Sequence, residues 1–68
     1  MKMIRIALDK VLKEKQMTRY RLSRESGVQY QIIDNYYKNR VTRYDGYVLD
    51  RLCAALGCGV GDILEYEK

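Results

Sequence analysis

The sequence predicts an all-α domain of five short helices, with a short strand at its N-terminal end as an additional element. Three observations carry that expectation. Apolar residues recur at helical spacing in short blocks along the 68-residue chain, and no proline interrupts them. The blocks are separated by residues suited to capping helix starts and by glycines suited to ending helices. The length then limits the chain to one small core, since a domain near this size buries only about 60% of the surface its unfolded form exposes. The whole of residues 1–68 is therefore read as a single domain.

In residues 1–6, Lys2, Ile4 and Ile6 alternate with Met3 and Arg5, which suits a short extended segment. From Ala7 the period changes. Leu8, Val11 and Leu12 fall at i, i+3 and i+4, opposite Asp9, Lys10, Lys13 and Glu14, and predict an amphipathic helix ending near Gln16. Thr18 can cap the next helix, with Met17 and Leu22 at the spacing of a hydrophobic staple. That helix runs over 19–25, and Gly27 supplies a residue tolerant of positive φ at its end. A third helix follows at once, from Gln29 or Tyr30 to Lys38. Ile32, Ile33 and Tyr36 face inward, with Val28 just ahead, while Gln29, Tyr30, Gln31, Asp34, Asn35 and Lys38 lie on the other side.

Residues 39–44 read as a polar loop carrying Arg40 and Arg43. Asp45 is placed to cap a fourth helix, with Tyr44 and Leu49 again at staple spacing. Leu49, Leu52, Cys53 and Leu56 form its buried stripe, and Gly57 stops it. A last short helix is expected over 59–66, with Asp62 favourable near its N-terminus and Ile63 and Leu64 pointing inward.

Composition narrows the function. The chain has no His, and so lacks the commonest general base and metal ligand at neutral pH. No nucleophile–base pair or glycine-rich phosphate loop is present, so an enzyme is not expected. The two cysteines, Cys53 and Cys58, are too few for a disulfide framework and lack the partners of a zinc site. They read as thiols of a reducing compartment. Neither a metal nor another cofactor is expected, and no small-molecule substrate is evident. Lys2, Arg5, Asp9 and Lys10 interrupt the apolar residues of the first segment, so it is no secretory signal, and no apolar run approaches the ~20 residues needed to span a bilayer. A cytoplasmic protein with no membrane partner is the expectation.

The net charge of +4 is unevenly distributed. Between Lys10 and Arg43 nine basic residues face three acidic ones, whereas residues 44–68 hold two basic and five acidic. A basic middle of this kind is the electrostatic footprint of something that sits on phosphates, though the same charges also serve plain solubility. Two short helices joined by a turn at one glycine match the helix-turn-helix pattern, here over 18–38. The exposed side of the second of them is rich in amides, and Gln and Asn are the side chains that bond adenine bidentately in the major groove. The seven tyrosines among basic residues would also suit stacking on single strands, but such platforms lie on sheets or barrels.

Residues 17–40, with Leu22, Gly27, Val28 and Ile33 at their spacing, resemble the Cro and lambda-repressor type of helix-turn-helix domain, also called Xre-like. Residues 52–66, with Gly61, Asp62, Ile63 and Leu64, are similar to the end of the same domain. The resemblance is to compact members without a separate dimerisation domain. The sequence departs from the family pattern at Ser23, where Ala is usual, and at Gln29, where a Ser or Thr cap is usual. It also has Tyr36 in place of an aliphatic residue, and Asn39–Arg40 in place of an Asn-Gly loop.

Carried over by position, the resemblance implies that Gln29, Tyr30, Gln31 and Asn35 face base edges. It likewise implies phosphate contacts from Arg19, Asn39, Arg40 and Arg43. Asp34 stands apart, since a carboxylate repels phosphate yet can accept from cytosine N4. Tyr37 reads as a packing or rim residue, and Arg21 and Arg24 as solvated charge or further phosphate contacts. The implied function is a transcriptional regulator, a repressor that occupies a double-stranded operator as a homodimer. Residues 1–6 and 44–48 are the two candidate dimer surfaces. The alternative is a protein-interaction module of the same fold, such as an antitoxin or a phage-type inhibitor, favoured by the acidic C-terminal end and Asp34.

Overall fold

The computed structural model of the chain describes residues 3–67. In order these form β1 (Met3–Ile6), α1 (Leu8–Glu14), α2 (Arg19–Ser26), α3 (Tyr30–Tyr37), α4 (Gly46–Leu56), α5 (Val60–Ile63) and β2 (Leu64–Glu67). Met1 and Lys2 of the expected extended segment lie outside the described residues. The core takes Ile6 from β1, Leu8, Val11 and Leu12 from α1, and Leu22 from α2. Val28, Ile33 and Tyr36 join them from the turn and α3, with Val48, Leu52, Leu56 and Ile63 from α4 and α5. Of the inward stripes read from helical spacing, Ile32, Leu49 and Cys53 are half-buried against this core, and Val48, outside the expected stripe, is buried in α4.

The expected caps form where expected. The Thr18 hydroxyl accepts the Arg21 N–H at 3.0 Å, and the Asp45 carboxylate accepts the Tyr47 N–H at 2.8 Å. Gly27 at φ 76° and Gly57 at φ 65° end α2 and α4. The first helix ends at Glu14, short of Gln16, because Gln16 itself adopts φ 54°. This reverses the chain and lets the Met17 N–H reach the Leu12 carbonyl at 2.9 Å. α3 ends the same way, with Asn39 at φ 57° and the Arg40 N–H on the Asn35 carbonyl at 2.9 Å. Left-handed backbone costs an L-residue roughly 1–2 kcal/mol, so neither reversal carries a glycine's signal in the sequence.

The expected final helix over 59–66 is corrected. Only Val60–Ile63 is helical, and the backbone turns extended at Leu64, with φ −106° and ψ 133°. β2 then pairs antiparallel with β1, in the register Met3–Glu67, Ile4–Tyr66, Arg5–Glu65 and Ile6–Leu64. An additional bond from the Ala7 N–H to the Ile63 carbonyl, at 2.6 Å, continues the contact. The fold is mostly helical with a small sheet that joins the two ends of the chain. Arg5 and Lys10 pair with Glu65 at 3.6 and 3.0 Å, which clamps the sheet to α1. No helix among the described residues is long and apolar enough to cross a membrane.

Candidate nucleic-acid interface

The site begins at the turn between α2 and α3. Ser23, on the last turns of α2, donates its hydroxyl to the Val28 carbonyl at 2.6 Å. The buried Ser26 hydroxyl accepts the Val28 N–H at 3.2 Å. Two side-chain oxygens therefore brace a turn whose backbone groups the helices leave without partners. Ser23 thereby adds a bond across the turn.

α3 opens at Gln29, whose side chain makes no capping bond. That amide is left on the outside. Gln29, Tyr30 and Gln31 are all exposed, with Tyr30 at 43%, and they follow one another over the first turn of the helix. Asn35 lies one turn on and is half-buried. Its Oδ1 accepts from Gln31 Nε2 at 3.3 Å, the i,i+4 contact that helical geometry favours. The opposite stripe of α3, Ile33 and Tyr36, is buried. Tyr36 does more than fill space: its hydroxyl accepts the Asp45 N–H at 3.0 Å, holding the start of α4, and its ring meets Tyr44 edge-on at 6.3 Å.

Asp34 turns away from the outer face. It is 8% exposed and lies 2.6 Å from Arg19 Nη1 and 3.1 Å from Lys38 Nζ. The hydrogen bond and charge of Lys38, aided by Arg19 and opposed by burial, hold its carboxyl below the usual carboxylate range. The Arg19 guanidinium also lies 4.4 Å over the Tyr37 ring. The start of α2 is thereby tied to α3 through an ion pair and a cation–π contact, and Tyr37 is half-buried against the core. The i,i+4 spacing of Asp34 and Lys38 was the available sequence signal for half of this arrangement.

Asn39 likewise has a bracing role. Its Oδ1 accepts the Ile6 N–H at 2.7 Å and its Nδ2 donates to the Ile6 carbonyl at 3.0 Å. One amide hydrogen is left over for any phosphate. The pairing fixes the loop after α3 to the end of β1, far away in sequence. Beyond it, Arg40 and Arg43 are exposed, and among the described residues neither has an ionic partner. A surface groove of about 600 Å³, lined by Lys10, Lys13, Thr18, Arg19 and Tyr37 among others, flanks the start of α2.

The structure therefore gathers Gln29, Tyr30, Gln31 and Asn35 on one helix. Arg19 stands beside the C-terminal half of that helix, on Asp34 and Tyr37, and Arg40 and Arg43 follow the same end. Such a surface presents amide and phenol groups from the start of the helix and cations toward its end. Residues 7–68 match a family model described as the Cro/C1-type HTH DNA-binding domain. No match was found among curated proteins.

Proposed function

This chain belongs to the Cro/C1-type helix-turn-helix DNA-binding domain family, and from that premise we propose that it is a sequence-specific regulator of transcription that represses by occupying an operator. The observation that carries this reading is the outer face of α3. Gln29, Tyr30, Gln31 and Asn35 offer hydrogen-bonding groups there, while the helix's one acid, Asp34, is turned inward against two cations. Gln31 and Asn35 read base edges, Gln29 and Tyr30 contact the bases nearest the helix start, and Arg40 and Arg43 hold the phosphates. Arg19 contributes a phosphate contact from a position fixed by Asp34 and Tyr37. Asn39 acts chiefly by holding its loop, with its remaining amide hydrogen available to the backbone of the DNA.

Occupancy alone suffices for repression, because polymerase and repressor cannot share the site. A single module buries only ~600–1,000 Å² of protein surface on DNA, so useful affinity calls for two copies on a pseudo-palindrome. Two surfaces are candidates for the contact between copies. One holds exposed Met3 and Ile4, with exposed Tyr66 opposite Ile4, and the other holds exposed Tyr47.

The interaction-module reading drew on Asp34 and the acidic end of the chain. Asp34 is paired internally, and Glu65, one acid of that end, is paired with Arg5 and Lys10. Selection of preferred sites from a random duplex pool tests the proposal. The expected product is a consensus of two related half-sites about 10 base pairs apart, centre to centre. A pool with no enriched sequence would contradict base reading.

A further inference from the structure

The end of α4 brings two thiols together. The helix closes on Gly57, and the N–H groups of Gly57 and Cys58 both reach the Cys53 carbonyl, the latter at 3.2 Å. Had the helix continued, side chains five residues apart would point about 140° away from each other. The reversal instead sets the residue beyond the glycine against the last turn, and a side-chain contact between these two positions commonly accompanies it. α1 ends with the equivalent longer bond, from the Met17 N–H to the Leu12 carbonyl, and there the corresponding pair, Leu12 and Met17, packs into or against the core. At α4 both positions are cysteine. Both are half-buried, both pack against the core, and neither is in a disulfide. Cys58 also lines a surface depression beside Lys15, Gly57, Gly61 and Asp62, through which a small reagent can reach it.

We propose that Cys53 and Cys58 form a modification site, a dithiol that closes to an intramolecular disulfide on reaction with a small-molecule disulfide such as oxidised glutathione. One thiolate attacks a sulfur of the reagent, whose S–S bond breaks and releases one glutathione thiolate. The second protein thiolate attacks the resulting mixed disulfide at the protein sulfur and releases the other glutathione. The two protein thiols lose two electrons and two protons, and one oxidised glutathione becomes two reduced ones. Burial pushes the Cys58 thiol up, with Cys53 and Asp62 adding to the effect and Lys15 opposing it. Cys58, the thiol the reagent can reach, makes the first attack and calls for alkaline pH, and Cys53 closes the bond at the Cys58 sulfur, helped by proximity.

The bond would close across the exit of α4. The chain there enters α5, whose Ile63 carbonyl receives the Ala7 N–H, and then β2. Oxidation is expected to brace the junction of α4 with the sheet and to leave the outer face of α3 unchanged. The inference is independent of DNA binding, and so is its readout.

The test treats the full chain with excess oxidised glutathione near pH 8.5, followed by intact-mass measurement and thermal unfolding. Expected is a loss of about 2 Da with no adduct, reversed by dithiothreitol, and a Tm rise of roughly 10 °C. Cys53→Ser and Cys58→Ser should each stop at a single glutathione adduct. Should either fail to fold, Cys53→Ala and Cys58→Ala serve the same purpose. Stable glutathione adducts on the unaltered chain, disulfide-linked dimers, or an oxidised form with a lower Tm would each overturn the proposal.

Discussion

Replacing Asn39 by Ala removes both hydrogen bonds that join the loop after α3 to Ile6. Each such bond contributes a net ~1 kcal/mol, and the abandoned N–H belongs to a residue that is 0% exposed, so the loss moves toward the cost of an unsatisfied buried group. Alanine must also hold φ 57°, which adds roughly 1 kcal/mol relative to a residue at ease there. The combined destabilisation is about 3 kcal/mol, or a Tm drop of roughly 10–20 °C in a domain of this length. Asn39→Gly separates the two contributions. It loses the bonds but relieves the backbone, so it should fall about 1 kcal/mol short of the alanine variant's loss. Asn39→Asp keeps the acceptor for the Ile6 N–H and loses the donor, which places it between the parent and alanine. Thermal and urea unfolding followed by circular dichroism read all three. An alanine variant within about 2 °C of the parent would show that the pairing with Ile6 does not hold the loop, and the reasoning would fail.

Other outcomes follow from the same geometry. Asp34 has a lowered carboxyl pKa in the folded state, so its ionic contribution is present above the ordinary carboxylate value and lost as pH falls through the folded one. The stability gap between the parent and Asp34→Asn should be constant above about pH 5 and shrink below about pH 4, and an unchanged gap down to about pH 2 would refute the assignment. Gln16→Gly relieves a left-handed residue and should raise stability by about 1 kcal/mol in urea titrations. Arg40→Ala and Arg43→Ala should each lower the slope of log affinity against log salt by about 0.9 on any duplex, with little change in sequence preference.

What was legible in the sequence was local. Thr18 and Asp45 cap helices because an oxygen at that position meets orphan N–H groups, whatever the rest of the chain does. Gly27 and Gly57 announce positive φ by lacking a side chain. The stripe of α1 follows from spacing alone, as do Ile33 and Tyr36 of α3 and Leu52 and Leu56 of α4, whereas Val48 does not. What escaped depends on distant partners. Residues 64–67 extend because β1 is there to pair with them, and nothing in their own order distinguishes that from a helix end. The bonds of Asn39 to Ile6, thirty-three residues earlier, add a structural role that its loop sequence does not announce. Asp34 looked out of place on a reading face because a sequence does not show that Arg19 stands behind it.

The central claim is that the outer face of α3 reads bases, and Gln31 is an exposed amide there, oriented by its bond to Asn35. The direct measurement compares Gln31→Ala with the parent on a selected operator and on random duplex DNA at one salt concentration. Loss of a bidentate amide contact should weaken operator binding by about 1–3 kcal/mol, roughly 5- to 150-fold, and leave random-duplex binding within about twofold. Equal weakening on both duplexes would contradict the claim and reduce α3 to a non-specific contact.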